Sequence, residues 1–373
     1  MSANKRVSLK TVHNKNFSQK VLCWFDGHGR KNLPWQQTCT PYRVWVSEIM
    51  LQQTQVATVI PYFNRFTERF PSVVSLGNSD IDTVLYLWSG LGYYSRARNL
   101  HKTAQYITQH LDGQFPDTTE KLMELPGIGR STAGAIASIA MNIKAPVLDG
   151  NVKRVLTRYY AVSGWTGSSA VSKKLWQIAT TCLPDQRYGH YTQAMMDLGA
   201  LVCTRSNPRC CDCPLQKECS AFKTNSWHLY PTPKPKKAVQ KRKIYMLLLL
   251  NSQQQVLLKK HPQQGIWGGL WSLPVFEKME KFMDEIEFCR SVKIEQQPVI
   301  WSTFHHFFTH RELEITPVQM VTDTFVTFTE EEKKSWCWYT PDKTHTLGMP
   351  APVNKLLQQL YCLLKEKLTP ATS

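Results

Sequence analysis

Four cysteines, Cys203, Cys210, Cys213 and Cys219, stand in a C-x6-C-x2-C-x5-C arrangement, with Pro208 and Pro214 shaping the turns between them. Thiols this close in sequence either converge on a shared partner or pack as small hydrophobes, and a turn-rich segment has little core to bury them in. Two partners suit four thiolates: a [4Fe–4S] cluster and a structural zinc ion. Zinc ribbons usually carry two C-x2-C pairs, whereas this segment has one, which favours iron–sulfur and leaves zinc as the alternative. Cys211 is left over. The chain holds 11 cysteines, an odd number that argues against a disulfide framework.

The surroundings of the cluster are basic. Of the net charge of +17, residues 1–241 contribute 30 Lys/Arg against 14 Asp/Glu, and residues 242–373 only 15 against 14. A first part this positive gains affinity by releasing counterions from phosphates, so nucleic acid leads the partner list, with plain solubility charge as the alternative. The longest apolar candidate, Tyr245 to Leu250, is the size of a strand and too short to span a membrane. The basic N-terminus lacks the apolar core of a secretory signal. These features predict an intracellular protein.

Residues 17 to 222 carry apolar side chains at three and four spacing between turn signals, the pattern of successive helices, with Asp80 or Ser79 and Thr118 as caps. From Asn225 to Lys241 three prolines in five residues and a basic run predict an extended, solvated connector. Beyond it KIYMLLLL, QQVLLKK, LWSLPVF and FHHFFTHRELEITPVQMV predict strands, and EKMEKFMDEIEFCRS a charged helix. The expected organisation is an all-α region over 1–224, a linker over 225–241, an α+β domain over 242–365 and a tail over 366–373.

Between two helical stretches lies LPGIGRSTA, residues 125–133. Gly127 and Gly129 let the backbone approach a bulky anion, and the helix that follows offers unpaired N–H groups, so a phosphate fits; a tight helix–helix turn is the alternative. This hairpin, the aspartate after it and the cysteine segment resemble the helix-hairpin-helix DNA glycosylase superfamily and, within it, the MutY family of adenine glycosylases. The likeness runs through LPW (33–35), SEIMLQQTQVATVIPYF (47–63), GLGYYSRARNL (90–100), VLDGNVKRV (147–155) and MMDLGALVC (195–203), and covers nearly all of 17–363. It implies a six-helix barrel joined to an iron–sulfur domain holding one [4Fe–4S] cluster, then a MutT-like (Nudix) domain.

The implied reaction breaks an N-glycosidic bond, which requires a protonated base and a stabilised positive charge on the sugar. Glu48 sits on an apolar helix, where a raised pKa keeps an acid protonated; Asp149, at a helix start, is expected to stay ionised through helix N–H groups. By resemblance, Glu48 protonates adenine, Asp149 steadies the oxocarbenium-like sugar and Asn151 orients Asp149 and water. Base removal also needs extrusion of the nucleotide. Leu51, Gln52, Gln53 and Tyr93 match wedge and gap-filling positions, and Trp35 and Gln193 match the adenine pocket. The hairpin residues Gly127, Gly129 and Ser131, with Lys153, Arg205 and Arg209, are the expected DNA contacts. Ser131 stands where endonuclease III carries a nucleophilic lysine, which implies a monofunctional enzyme; many MutY sequences have Tyr there. Lys153 matches a position that traps abasic product adventitiously.

The C-terminal part has no REUxEExGU metal box, which argues for recognition over hydrolysis, and Phe308-Thr309-His310 matches the loop that reads 8-oxoguanine opposite adenine. The resemblance therefore implies a monomer acting on double-stranded DNA with A:8-oxoguanine or A:G mispairs, in a bacterial cytoplasm, with room for repair-protein partners. An endonuclease III-like glycosylase/lyase on oxidised pyrimidines and a catalytically silent lesion-binding protein are the rival expectations.

Overall fold

The computed structural model describes residues 3–235, 240–279, 297–308, 311–323, 327–340 and 347–368, with backbone alone for 3–15 and 366–368. Two compact units emerge: Met1–Asn78 with Asn99–Lys236, and Ser79–Arg98 with Lys237–Ser373.

The first unit holds α1 (Ala3–His28), α2 (Pro34–Gln37), α3 (Pro41–Leu51), α4 (Val56–Arg69) and α5 (Val73–Gly77). After α6 (Ile81–Leu87), which belongs to the second unit, come most of α7 (Ser95–His110), then α8 (Thr119–Met123), α9 (Arg130–Ala135), α10 (Gly150–Tyr159), α11 (Ser169–Thr181), α12 (Tyr188–Asp197) and α13 (Ser220–Lys223). Both expected caps operate: the Asp80 carboxylate accepts from Thr83 N at 2.7 Å and Thr118 Oγ1 from Lys121 N at 3.3 Å. Helix α4 buries Val59, Phe63 and Phe66 at spacings of four and three, one stripe of an amphipathic helix. A second core joins Phe17, Val21 and Phe25 of α1 to Val152, Val155 and Leu156 of α10, and Cys203, Cys213 and Cys219 pack on it. Each large side chain so buried contributes roughly 1.5–3 kcal/mol.

The connector departs from its expected form over its first half. Trp227–Leu229 is a 3-10 turn, Thr232 forms a β-bridge with Trp165, and Gly164 N donates to Thr232 Oγ1 at 3.1 Å. The cause is Arg158, 3% exposed, whose Nε donates to Trp227 O and Tyr230 O. Prolines set the chain extended there, and a buried guanidinium gathers its carbonyls.

Among the described residues the second unit holds an eight-stranded sheet, order β3-β2-β1-β7-β5 with β4, β6 and β8 branching from it, built from β1 (Gln240–Asn251), β2 (Val256–Lys260), β3 (Trp271–Ser272), β4 (Val275–Phe276), β5 (Val299–Ile300), β6 (Phe304–Phe307), β7 (Arg311–Thr322) and β8 (Trp336–Tyr339). β1 and β7 pair in parallel, with Ile244 opposite Ile315 and Leu248 opposite Gln319. Met246 to Leu250 are all buried, the continuous apolar run of a strand covered on both faces. Helix α14 (Ala351–Leu368), which the sequence reading did not single out, buries Val353, Leu356, Leu357 and Leu360. Most of the stretch expected as a charged helix, EKMEKFMDEIEFCRS, lies outside the described residues, as do Thr309, His310 and the end of the tail.

Candidate active site

Pro41 in the first turn and Thr40, whose Oγ1 accepts from Arg43 N, start α3, and its buried Val44, Trp45, Val46, Ile49 and Met50 fix the helix so that Glu48 is partly buried. Among the described residues Glu48 makes no hydrogen bond or ion pair. Burial, and then the charge of Asp149, push its carboxyl up to about 8. Helix α3 and the start of α10 therefore bring the two expected acids within electrostatic reach of each other, with Glu48 the one that keeps its proton at neutral pH.

Asp149 is also the plain cap that was its alternative role: its Oδ1 accepts from Val152 N at 2.7 Å. Its carboxyl is raised from the usual range, against the expectation from helix N–H groups. Burial is the largest cause, and it outweighs the opposing pull of the Val152 and Asn151 N–H groups, the Arg154 charge and the Asn151 amide. Asn151 Nδ2 donates to Asp149 Oδ2 at 3.2 Å. Arg154 went unnoticed in the sequence. Its Nη2 donates to Asn151 Oδ1 at 2.8 Å and Gly199 O at 2.7 Å, and its Nε to Cys203 O at 2.7 Å, so one guanidinium links the carboxylate to the first cysteine. Gly199 permits this approach, since a Cβ there would lie 2.6 Å from Asn151 Cβ.

In the hairpin Gly127 takes φ +79° and a Cβ on it would meet Asn99 Cβ at 2.8 Å, whereas Gly129 is ordinary extended backbone with open space around it. Ser131 Oγ accepts from Leu148 N at 3.1 Å, which ties the helix after the hairpin to the backbone just before Asp149. Position 131 thus carries a structural hydroxyl and no amine. At the end of α3, Leu51 and Gln52 are half-buried and Gln53 is exposed at φ +60°; in the second unit Tyr93 takes φ +48° and is 48% exposed. Non-glycine residues held in that region store strain of about 1–3 kcal/mol, which persists where the surrounding fold imposes it.

Gln193, 9% exposed, lines a cleft of about 850 Å³ together with Arg30, Lys31 and Gln36. Trp35 is buried edge-on against Phe63, with ring centroids 5.4 Å apart, and is not part of that lining. Lys153 is half-buried on α10; Arg205 is exposed, and Arg209 is exposed but engaged, donating to Leu201 O.

The four cysteines are free thiols, each partly buried. Burial raises Cys210, Cys213 and Cys219, and the other thiols of the set add to each shift. Arg158 Nη1 donates to Cys203 Sγ at 3.4 Å and to Thr204 O at 2.7 Å. Thiols that oppose one another's ionisation beside a guanidinium fit a shared, cation-rich group. Among the described residues no three His, Cys, Asp or Glu side chains close around a single metal ion. In the second unit Phe308 directly follows β6, its N donating to Arg311 O at 2.8 Å.

Residues 46–180 match the HhH-GPD superfamily of base excision DNA repair proteins, and residues 245–359 match a NUDIX domain. An adenine DNA glycosylase of Buchnera aphidicola subsp. Schizaphis graminum is 41% identical over 342 residues, 92% of this chain and 98% of that protein. The enzyme of the same name from Buchnera aphidicola subsp. Acyrthosiphon pisum is 43% identical over 342 residues, 92% and 97%. Among solved structures a thermostable thymine-DNA glycosylase superposes with a TM-score of 0.52 at 25% identity, covering 57% of this chain and 97% of that one. The likeness thus spans the paired acids, the hairpin, the cysteine segment and the sheet-rich domain alike, and the chain belongs to the adenine DNA glycosylase family of base excision repair enzymes.

Proposed function

We propose that this DNA-binding enzyme hydrolyses the N-glycosidic bond of adenine mispaired with 8-oxoguanine, and more slowly with guanine, leaving an abasic site in an intact strand. The observation that carries the catalytic reading is the raised Glu48 carboxyl with Asp149 as its second cause. An acid near 8 is protonated at neutral pH and gives its proton to the departing purine, lowering the charge that would otherwise build on the leaving base. Asp149 supplies the compensating negative charge beside the sugar, oriented by Asn151, which Arg154 holds in turn. After the base leaves, Glu48 takes a proton from the water that attacks the sugar. Ser131, committed to Leu148 N, supports water over an amine as nucleophile and so a monofunctional reaction.

Leu51, Gln52, Gln53 and Tyr93 fill the gap left by the extruded nucleotide, and Trp35 and Gln193 bound the base. The hairpin glycines, Lys153, Arg205 and Arg209 serve the DNA backbone. Cys203, Cys210, Cys213 and Cys219 would hold one [4Fe–4S] cluster, which when bound cross-links the segment carrying Arg205 and Arg209. Phe308, Thr309 and His310 read the oxidised guanine. The domain limits are 1–224, 225–241, 242–365 and a tail over 366–373, and the chain acts as a monomer in a bacterial cytoplasm. Among the described residues no helix is long and apolar enough to cross a membrane.

The test is base release from a duplex with A opposite 8-oxoguanine, with and without hot alkali. Strand breaks only after alkali are expected; efficient nicking before alkali would favour a lyase. Asp149→Asn should lower release by about 10²–10³-fold while mismatch binding stays measurable, and unchanged turnover refutes the assigned role.

A further inference from the structure

The second unit contains an aromatic cluster around Phe308 whose central member, Trp267, none of these roles uses. Trp267 takes φ +57°, a left-handed backbone that a bulky side chain rarely adopts, yet it is 8% exposed. The loop around it is clamped. Arg98 Nη1 donates to Gly268 O, Gly269 N to His261 O and Pro262 O, and Leu270 N to Trp267 O. A Cβ on Gly268 would lie 2.4 Å from Gln263 O, so the loop closes only around glycine there. The strain of about 1–3 kcal/mol therefore holds one object in place, the indole. Its ring centroid lies 5.8 Å from His261, 6.0 Å from His306 and 6.0 Å from Phe308, and His306 meets Phe308 edge-on at 4.7 Å. Trp267, His306 and Phe308 line a cavity of about 610 Å³ with Tyr93, Arg98 and Arg311.

We infer that Trp267 is a positioning residue for lesion discrimination: its indole is a fixed platform that sets Phe308, the first residue of the reading triplet, before DNA arrives. The inference rests on the reading of Phe308-Thr309-His310 as the 8-oxoguanine reader. A phenylalanine at a strand end loses rotamer freedom when it engages a base, and a rigid aromatic neighbour removes that cost in advance. A strained loop aimed at that ring serves preorganisation, because an unstrained residue would fill the same core without it.

The experiment measures single-turnover base release by full-length protein on duplexes with A opposite 8-oxoguanine and A opposite G. Trp267→Leu, which keeps an apolar side chain but not the flat ring, should lose about tenfold of the preference for the 8-oxoguanine duplex, equivalent to about 1.4 kcal/mol. Release from the A:G duplex should stay unchanged, which also reports intact folding. Trp267→Phe should restore the preference to within about threefold. Equal loss on both duplexes, or full preference in Trp267→Leu, overturns the inference. Phe308→Ala separates the two levels: if it loses the preference while Trp267→Leu keeps it, only the platform falls, and if it keeps the preference, the reading triplet falls and the platform with it.

Discussion

Replacing Glu48 by Gln leaves an amide of the same shape that cannot ionise. The wild-type carboxyl moves from an ordinary 4.5 to about 8 in the folded protein. Because the folded-state value is raised, the folded protein holds a proton through this window that the unfolded chain has released. Stability is thus full below about pH 4.5, falls as pH rises through the window and levels off above about 8. At 1.36 kcal/mol per unit the loss approaches ~5 kcal/mol, and the partial exposure of Glu48 brings it to about 3–5 kcal/mol. The Gln variant carries none of that loss, while Asp149 is present in both proteins. Thermal melts followed by far-UV circular dichroism at about pH 4.5 and about pH 9 should therefore show the variant gaining on the wild type by about 6–20 °C across the range, at roughly 2–4 °C per kcal/mol. The same substitution should lower base release by about 10²–10⁴-fold, and wild-type release should decline above about pH 8. A melting difference between the two proteins that is the same at both pH values would refute the assignment of Glu48 as the acid that stays protonated.

Other consequences are equally direct. Arg154→Gln removes donors to Asn151, Gly199 and Cys203 and should cost about 2–4 kcal/mol of stability, read in urea melts, while lowering release about tenfold or more with Glu48 and Asp149 intact. Gly127→Ala forces a side chain into φ +79° against Asn99; duplex affinity in a binding titration should fall while the single-turnover rate on bound DNA is kept. The purified protein should be straw-brown with absorption near roughly 400 nm and should lose colour when Cys213 becomes Ser; a colourless protein with one zinc per chain would overturn the cluster.

What the sequence disclosed was local chemistry. Glu48 inside an apolar helix and Asp149 at the start of another could be picked out because the features that mark each lie among its immediate neighbours, and the Asp80 and Thr118 caps were legible for the same reason. The direction of the Asp149 shift was not, because burial is set by elements distant in the chain while helix N–H groups are visible within three residues. Arg154 and Gly199 escaped notice because their contacts join positions 45 residues apart. Trp267 was not singled out, because neither its strain nor its ring partners leave a mark on periodicity.

Arg158 decides where the helical unit can be cut. Its donors reach Thr204 and Arg205 as well as Trp227 and Tyr230, up to 72 residues downstream. A fragment ending at residue 224 would remove two of those acceptors and leave the guanidinium short of partners at a cost of about 1–3 kcal/mol. A stand-alone version of that unit should therefore retain the chain through Pro235, so that the proline-rich stretch travels with the fold it fastens.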